Sequence, residues 1–462
     1  MAVGSLVNNE FATFVDEATG AVVQRLTPAS VTCHLPRTGV HITSADGRVL
    51  IYVGAYGETR QLYALNMETG TSVQLTSGHG LLEYEGVCLD MDDRHVLYVQ
   101  RDELWRVDLG TLLREKLYAC EEGWSVQWFT LAADGKMAVT TEVENTTVPA
   151  NVEQSDWSFF ELSTIASPHS RIVLHDFEAA THRVVVDERC WLGRATLRPH
   201  HNDAILYCHE GAYNFVDARM WLVNADGSDV RCVSASTAGD IVVGEHWLAD
   251  GSGIGYLHRS VPEGGEGALD LDLSEQGGLS VASCEAFGAG SIRVVDFETL
   301  EERASMIVHP YAHLAGSGDL RFCVGDGAGG SVPLHLLDES SAAFFDAADD
   351  YVYLADVPHR REVRLCRHAS SWSSRHGTTQ DAHPHPVVSS DCRSVLFVSD
   401  REGHPAIYRV DLARFVWERD AGDGVREREA SAVDLGWGFP ATFGDAACDG
   451  PAKRGARKKK TG

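Results

Sequence analysis

The chain has 462 residues, with 67 Asp and Glu against 39 Lys and Arg, for a formal net charge of −28. So acidic a composition argues against nucleic-acid binding, which needs basic surface to neutralise phosphates, and no run approaches the ~18 apolar residues of a membrane-spanning helix. The first twenty residues, MAVGSLVNNEFATFVDEATG, have neither the basic start nor the apolar stretch of a secretory signal, and the eleven Cys are odd in number, scattered and without a Cys-x-x-Cys pair. That usage predicts reduced thiols in a cytoplasmic protein and excludes a zinc or disulfide framework.

In chain order, residues 1–10 read as an N-terminal extension and GAVVQRLT (20–27) as an early strand. A turn rich in Asp and Gly then precedes an apolar strand seven times: SADGRVLIYVG from Ser44, MDDRHVLYVQ from Met91, AADGKMAVTTE from Ala132, HNDAILYCHEG from His201, LADGSGIGYLH from Leu248, GSGDLRFCVG from Gly316 and SSDCRSVLFVSD from Ser389. Each is followed by a second alternating strand that ends at Asp or Asn, such as LYALNMETG (62–70), LWRVDLGTL (104–112) and IYRVDLARF (407–415). Alternation at period two lets one face of a strand pack on a neighbour. A single four-stranded unit cannot bury both of its faces, whereas units stacked radially around an axis can. The repeat therefore predicts an all-β chain over 11–417, a seven-bladed β-propeller, its ring closed by the N-terminal strand 20–27. Three regions break the pattern. They are an insertion at 143–170, a Gly-rich acidic surface loop at 259–290, and a tail at 418–462 that lacks periodicity, ends in KRGARKKKTG and reads as disordered.

His383-Pro384-His385 carries the clearest chemical signal. In an extended segment residues i and i+2 share a side, and Pro384 favours extended geometry before it, so both imidazoles can reach one ion, with Gln380 near enough to add an amide oxygen. With 21 His in the chain, ordinary hydrogen-bonding histidines at a strand start are the competing reading. CHEG (208–211), VDARMW (216–221) and GEHW (244–247) put His209, Glu210, Arg219, Glu245 and His246 at blade mouths, where either structural or chemical roles fit. GDGAGG (325–330) is a literal G-x-G-x-x-G, but no helix follows it, which excludes a dinucleotide site. The absence of a G-x-S-x-G elbow excludes a serine peptidase domain.

Over roughly residues 11–417 the chain resembles the oligogalacturonate lyase (oligogalacturonide lyase) family. The resemblance rests on DEATGAVVQRLTPASVTCH (16–34), CHEGAYNFVDARMWLVNADGSD (208–229), AHLAGSGDLRFCVGDG (312–327) and QDAHPHPVVSSDCRSVLFVSDREGHPAIY (380–408). It implies a lyase of pectin degradation that cleaves short, often unsaturated galacturonate oligosaccharides by β-elimination to keto-deoxyuronates. It further implies Mn2+ as the usual metal, with other divalent ions as substitutes, and a homodimer. The family's metal ligands fall on His313, Gln380, His383 and His385, and its active-site arginine on Arg219. The family's base histidine opens a His-Glu-aromatic-Trp motif, which here reads Gly244-Glu245-His246-Trp247, so the base position holds glycine. His246 faces the same side two residues on, ~6.5 Å away along a regular strand, and reaches the proton only if the backbone bulges or slips; His209 and a metal-bound hydroxide are the alternative bases. His209 is expected to line the substrate pocket. Two rival readings accompany this one: a catalytically impaired relative that binds metal and uronate, and a propeller scaffold for protein partners.

Overall fold

The repeated Asp is the residue that builds each turn. The side chain of Asp46 accepts the backbone N–H of Arg48 at 3.0 Å, and Asp134, Asp250 and Asp391 do the same for Lys136, Ser252 and Arg393 at 3.0, 2.9 and 3.0 Å. A carboxylate that caps its own chain two residues on imitates a backbone turn and tolerates the left-handed residue that follows. That residue is Gly47, Gly135 or Gly251 at φ 70, 70 and 69°, and where glycine is missing Asp93 and Cys392 take the same conformation at φ 56 and 55°. The second signature works alike: Asn66, Asp108 and Asp296 each accept two successive backbone N–H groups in the turn after the strand. Six positions beyond the turn aspartate stands an aromatic ring in four of the repeats, and Tyr52, Tyr98, Tyr256 and Phe397 are all fully buried.

A computed structural model describes residues 1–37, 41–145, 157–211, 216, 218–233, 240–259, 290–317, 321–327 and 350–413. Among them the strands form seven antiparallel sheets, each with the first strand of its repeat innermost. The inner strands are Cys33–His34, Val87–Leu89, Trp124–Leu131, Leu192–Leu197, Ile241–Trp247, His313–Gly316 and Val387–Val388, numbered here as blades one to seven. The chain is a seven-bladed β-propeller. Its core is a series of apolar layers between successive blades; Phe322, Val324 and Leu354 of blade six, for example, pack on Val395, Phe397 and Tyr408 of blade seven.

The ring is closed by the early strand. Val22–Arg25 pairs with the last strand of blade seven, Val23 opposite Val410 and Arg25 opposite Tyr408, and Ala12–Val15 adds outside it. The N-terminal extension contributes Leu6–Asn8 to the outer edge of blade one, against Thr71–Val73. The N-terminal segment thus holds the first and last blades together. The insertion expected at 143–170 connects two paired strands of blade three, Met137–Glu144 and His169–Asp176, and carries a helix, Trp157–Ala166, that strand periodicity does not reveal. The expected loop at 259–290 lies almost wholly, and the expected tail at 418–462 wholly, outside the described residues. Among those described, no helix is long and apolar enough to cross a membrane.

Candidate metal centre and active site

Three of the four predicted ligands come together as a cluster. His313 opens the inner strand of blade six, and His383 and His385 precede that of blade seven; one nitrogen from each lies within 4.8 Å of the others. The fourth joins them: Gln380 Oε1 is 3.1 Å from His385 Nε2. Burial, and then the neighbouring charges of His313 and Arg37, hold His383 and His385 well below the usual imidazole range, which favours these two as neutral donors. His383 Nδ1 is buried with no hydrogen-bond partner among the described residues. A buried polar atom left unpartnered costs about 1–3 kcal/mol, and an ion is the partner that three imidazoles and an amide oxygen would share. The donor set is mixed nitrogen and oxygen, suited to a first-row divalent metal.

The surrounding shell fixes the ligands. Asp326, fully buried at the end of the strand next to His313, takes both the backbone N–H of His313 at 2.8 Å and its Nδ1–H, with Oδ2 at 2.8 Å. That bond directs the Nε2 lone pair of His313 to the cluster. The same carboxylate accepts the backbone N–H of His385, whose φ of 40° is strained for a residue with a side chain. Trp372 covers the cluster, its ring 5.7 Å from His313 and nearly parallel to it, and 4.3 Å from His383. The short 3-10 turn Thr379–Ala382 that carries Gln380 is anchored by Asp381, which is fully buried, forked by Arg60 at 2.7 and 2.8 Å and bonded by Tyr84. Asp326→Asn is expected to lower metal affinity ~10–100-fold, the range for a partner of a ligating imidazole, with the fold retained; a metal titration of the purified variant measures it.

Arg219 lies within a network of charges lining the same hub. Its guanidinium is held by Glu245 through Nε and by Glu210 at 3.1 and 3.4 Å, and it is only 6% exposed. Glu210 also accepts from Arg194 at 3.1 Å, and Glu85 accepts from Arg37 at 3.3 Å. Burial raises the Glu210 carboxyl, but Arg219 and Arg194 outweigh it and hold the group below the usual carboxylate range. His209 points elsewhere. It stacks on Trp221 at 4.9 Å and faces Glu188 of blade three at 3.4 Å. Burial works against its charge, but Cys190 and Glu188 prevail and lift it to about 9. It joins neither the histidine cluster nor the arginine network; its neighbour Glu210 does.

The segment around Gly244 departs from a regular ladder. Val243 faces Leu257 while His246 faces Gly255, so one extra residue is accommodated between them as a bulge. Gly244 has φ 70°, and a Cβ there would come 2.7 Å from both Cβ and the carbonyl oxygen of Leu314. No side chain fits at 244. His246 instead lies against Gly316, whose lack of a side chain leaves room for the ring. Its Nδ1–H donates to the carbonyl of Gly244 at 2.7 Å, which leaves Nε2 as the basic nitrogen, buried and without a partner among the described residues. Desolvation holds the ring below the ordinary histidine value, against smaller contributions from the Gly244 carbonyl and Glu245.

Asp326, Trp372, Arg37, Glu85 and Arg194 were not apparent as site residues from sequence. Asp326 lies in FCVGDG (322–327), thirteen residues from His313 with no local spacing that joins the two; for the other four no local pattern exists.

Comparison with known proteins follows the same lines. The family model described as oligogalacturonate lyase matches residues 1–264 and 279–416. The oligogalacturonide lyase of Pectobacterium atrosepticum is 29% identical over 417 residues, 90% of this chain and 100% of the relative, and the oligogalacturonate lyase of Dickeya dadantii is 29% identical over 419 residues with the same coverage. Among solved structures, an oligogalacturonate lyase in complex with manganese superposes with a TM-score of 0.76 at 30% identity, over 90% of this chain and 100% of that one. The Vibrio parahaemolyticus oligogalacturonate lyase gives 0.74 at 30% identity, over 89% and 99%.

Proposed function

The chain belongs to the oligogalacturonate lyase family, and from that premise we propose that it cleaves short galacturonate oligosaccharides by β-elimination in the cytoplasm, with Mn2+ held by His313, Gln380, His383 and His385. The carrying observation is the convergence of three imidazole nitrogens within 4.8 Å, with Gln380 Oε1 beside them. The reaction removes the proton on C5 of a uronate, next to its carboxylate, and expels the oxygen on C4. That proton is poorly acidic because the charge formed lies beside an existing anion. A divalent ion held by these four residues would supply Lewis-acid stabilisation of that charge, worth several kcal/mol. The four neutral ligands leave the ion's charge undiminished for that task.

His246 Nε2 takes the C5 proton; the C5–H pair becomes the C4–C5 double bond, and the C4 oxygen leaves with a proton from solvent. The Nδ1–H bond to Gly244 keeps the ring in the tautomer that a base requires. Arg219, immobilised by Glu210 and Glu245, is the guanidinium placed to meet the charge that develops on the substrate. The nine described cysteines are all free thiols, as a cytoplasmic setting would keep them.

The test is direct. Purified protein with Mn2+ and digalacturonate is expected to release keto-deoxyuronate, and EDTA to stop it. Absence of product with any divalent metal removes the enzymatic reading. Metal and uronate binding without turnover would instead support the impaired relative, for which Gly244 at the family's base position is the motive. Protein that takes up no metal would leave the propeller as a scaffold.

A further inference from the structure

Arg37 and Arg194 are assigned no part in the chemistry above, yet both stand at the hub. Arg37 lies just past the inner strand of blade one; its backbone N–H donates to the Tyr84 carbonyl at 2.6 Å and its guanidinium lies 5.2 Å from the centre of the Tyr84 ring. Tyr84 in turn bonds Asp381, the residue that anchors Gln380. Of the five N–H donors on a guanidinium, only those on Nη1 have a partner, Glu85 at 3.3 Å; Nε and Nη2 are buried and unpartnered among the described residues. Arg194 reaches the hub by a strained route. It has φ 53°, in a bulge of the inner strand of blade four between Gly193 and Thr196. A non-glycine residue held there is strained. Its guanidinium, 34% exposed, bonds Glu210 through Nε. Through Tyr84 and Asp381, Arg37 stands next to the turn that carries Gln380; the Arg194 guanidinium lies 5.7 Å from the centre of the Trp128 ring, and the following residue, Phe129, donates its backbone N–H to the Glu85 carbonyl at 2.9 Å. Arg219 offers a contrast: its fork is already occupied by two glutamates.

Each residue of an oligogalacturonate carries a carboxylate, so a disaccharide brings two, and an ion that binds the first leaves the second to another partner. A planar guanidinium with two unpartnered donors matches a carboxylate in a bidentate fork, more strongly than a neutral pair does. We propose that Arg37, with Arg194 across Glu85, forms a second carboxylate subsite beside the histidine cluster, which takes the uronate adjoining the one at the metal. The inference rests on the function proposed above. It gives the unpartnered donors of Arg37 a ligand and the strained backbone of Arg194 a purpose.

Calorimetry on the Mn2+-loaded full chain tests it, with digalacturonate and galacturonate as probes. Arg37→Met is expected to weaken digalacturonate binding at least tenfold and galacturonate binding less than twofold, with Mn2+ affinity in the absence of sugar unchanged. Arg37→Lys, which keeps charge but not the fork, should recover part of the loss, and Arg194→Met should weaken digalacturonate in the same selective way. Equal affinities of the wild type and Arg37→Met for digalacturonate, or an equal loss for both sugars, would overturn the subsite alone. A wild-type protein that binds neither sugar overturns the functional reading and the subsite with it.

Discussion

Replacing His383 by alanine is expected to abolish manganese binding and to reduce turnover of digalacturonate by ~10³-fold or more. The size follows from the chemistry. Lewis-acid stabilisation of the charge next to the uronate carboxylate is worth several kcal/mol, and each ~1.4 kcal/mol is a factor of ten in rate. His383 is the ligand to choose. It is buried, its Nδ1 has no protein partner, and it packs against Trp372 rather than against the polar shell. Its removal therefore takes a donor from the cluster without breaking the Asp326 bond to His313 or the Gln380 bond to His385. The side chain leaves a cavity under Trp372, so a lower melting temperature is expected as well. Metal content per chain separates the two effects, because a merely destabilised protein still binds one ion at low temperature. Retention of one tightly bound manganese per chain by the alanine variant would remove His383 from the ligand set.

The parts of the fold that could be read from sequence are those in which one residue fixes its own neighbourhood. Asp46, Asp134, Asp250 and Asp391 close turns with bonds two residues long, so the repeat reveals itself in every blade it shapes. The closing strand, GAVVQRLT, was legible because the last blade lacked a strand and an unassigned one stood near the N-terminus. His383 and His385 could be paired from the extended geometry before Pro384. His313, some seventy residues earlier, was placed only by resemblance, since nothing local joins blades six and seven. Arg37, Glu85 and Arg194 lie in blades one, two and four, or in the segments leading to them, and meet only because the ring brings its inner strands to one axis. Arg194 was doubly hidden, because its direction depends on a bulge and a positive φ that no residue around it announces. The direction of His209 was not legible for the converse reason. Alternation along a strand decides that His209 and Glu210 face opposite ways, but not which of the two faces inward.

Restoring histidine at position 244 is expected to fail as a gain of function, and substituting His246 to abolish catalysis. If Gly244 marked a lost base, a histidine there would rebuild it. The backbone forbids this. At φ 70° an L-residue is strained by of order 1–3 kcal/mol, and its Cβ would collide with Leu314, next to the ligand His313. Gly244→His should therefore melt at a lower temperature and turn over no faster than the parent. The bulge that makes position 244 uninhabitable also supplies the carbonyl that holds His246 in its tautomer, so glycine here belongs to the arrangement of the base. His246→Ala is expected to lower kcat by ~10²–10⁴, the usual share of a general base, while manganese content and digalacturonate affinity stay near those of the parent. The pH profile gives an independent reading. A base acts only when unprotonated, and burial holds His246 below the ordinary histidine value, so activity should persist as the pH falls through that value and decline only below it. An acid limb that survives in His246→Ala, or a kcat within a few fold of the parent, would assign the proton to another group.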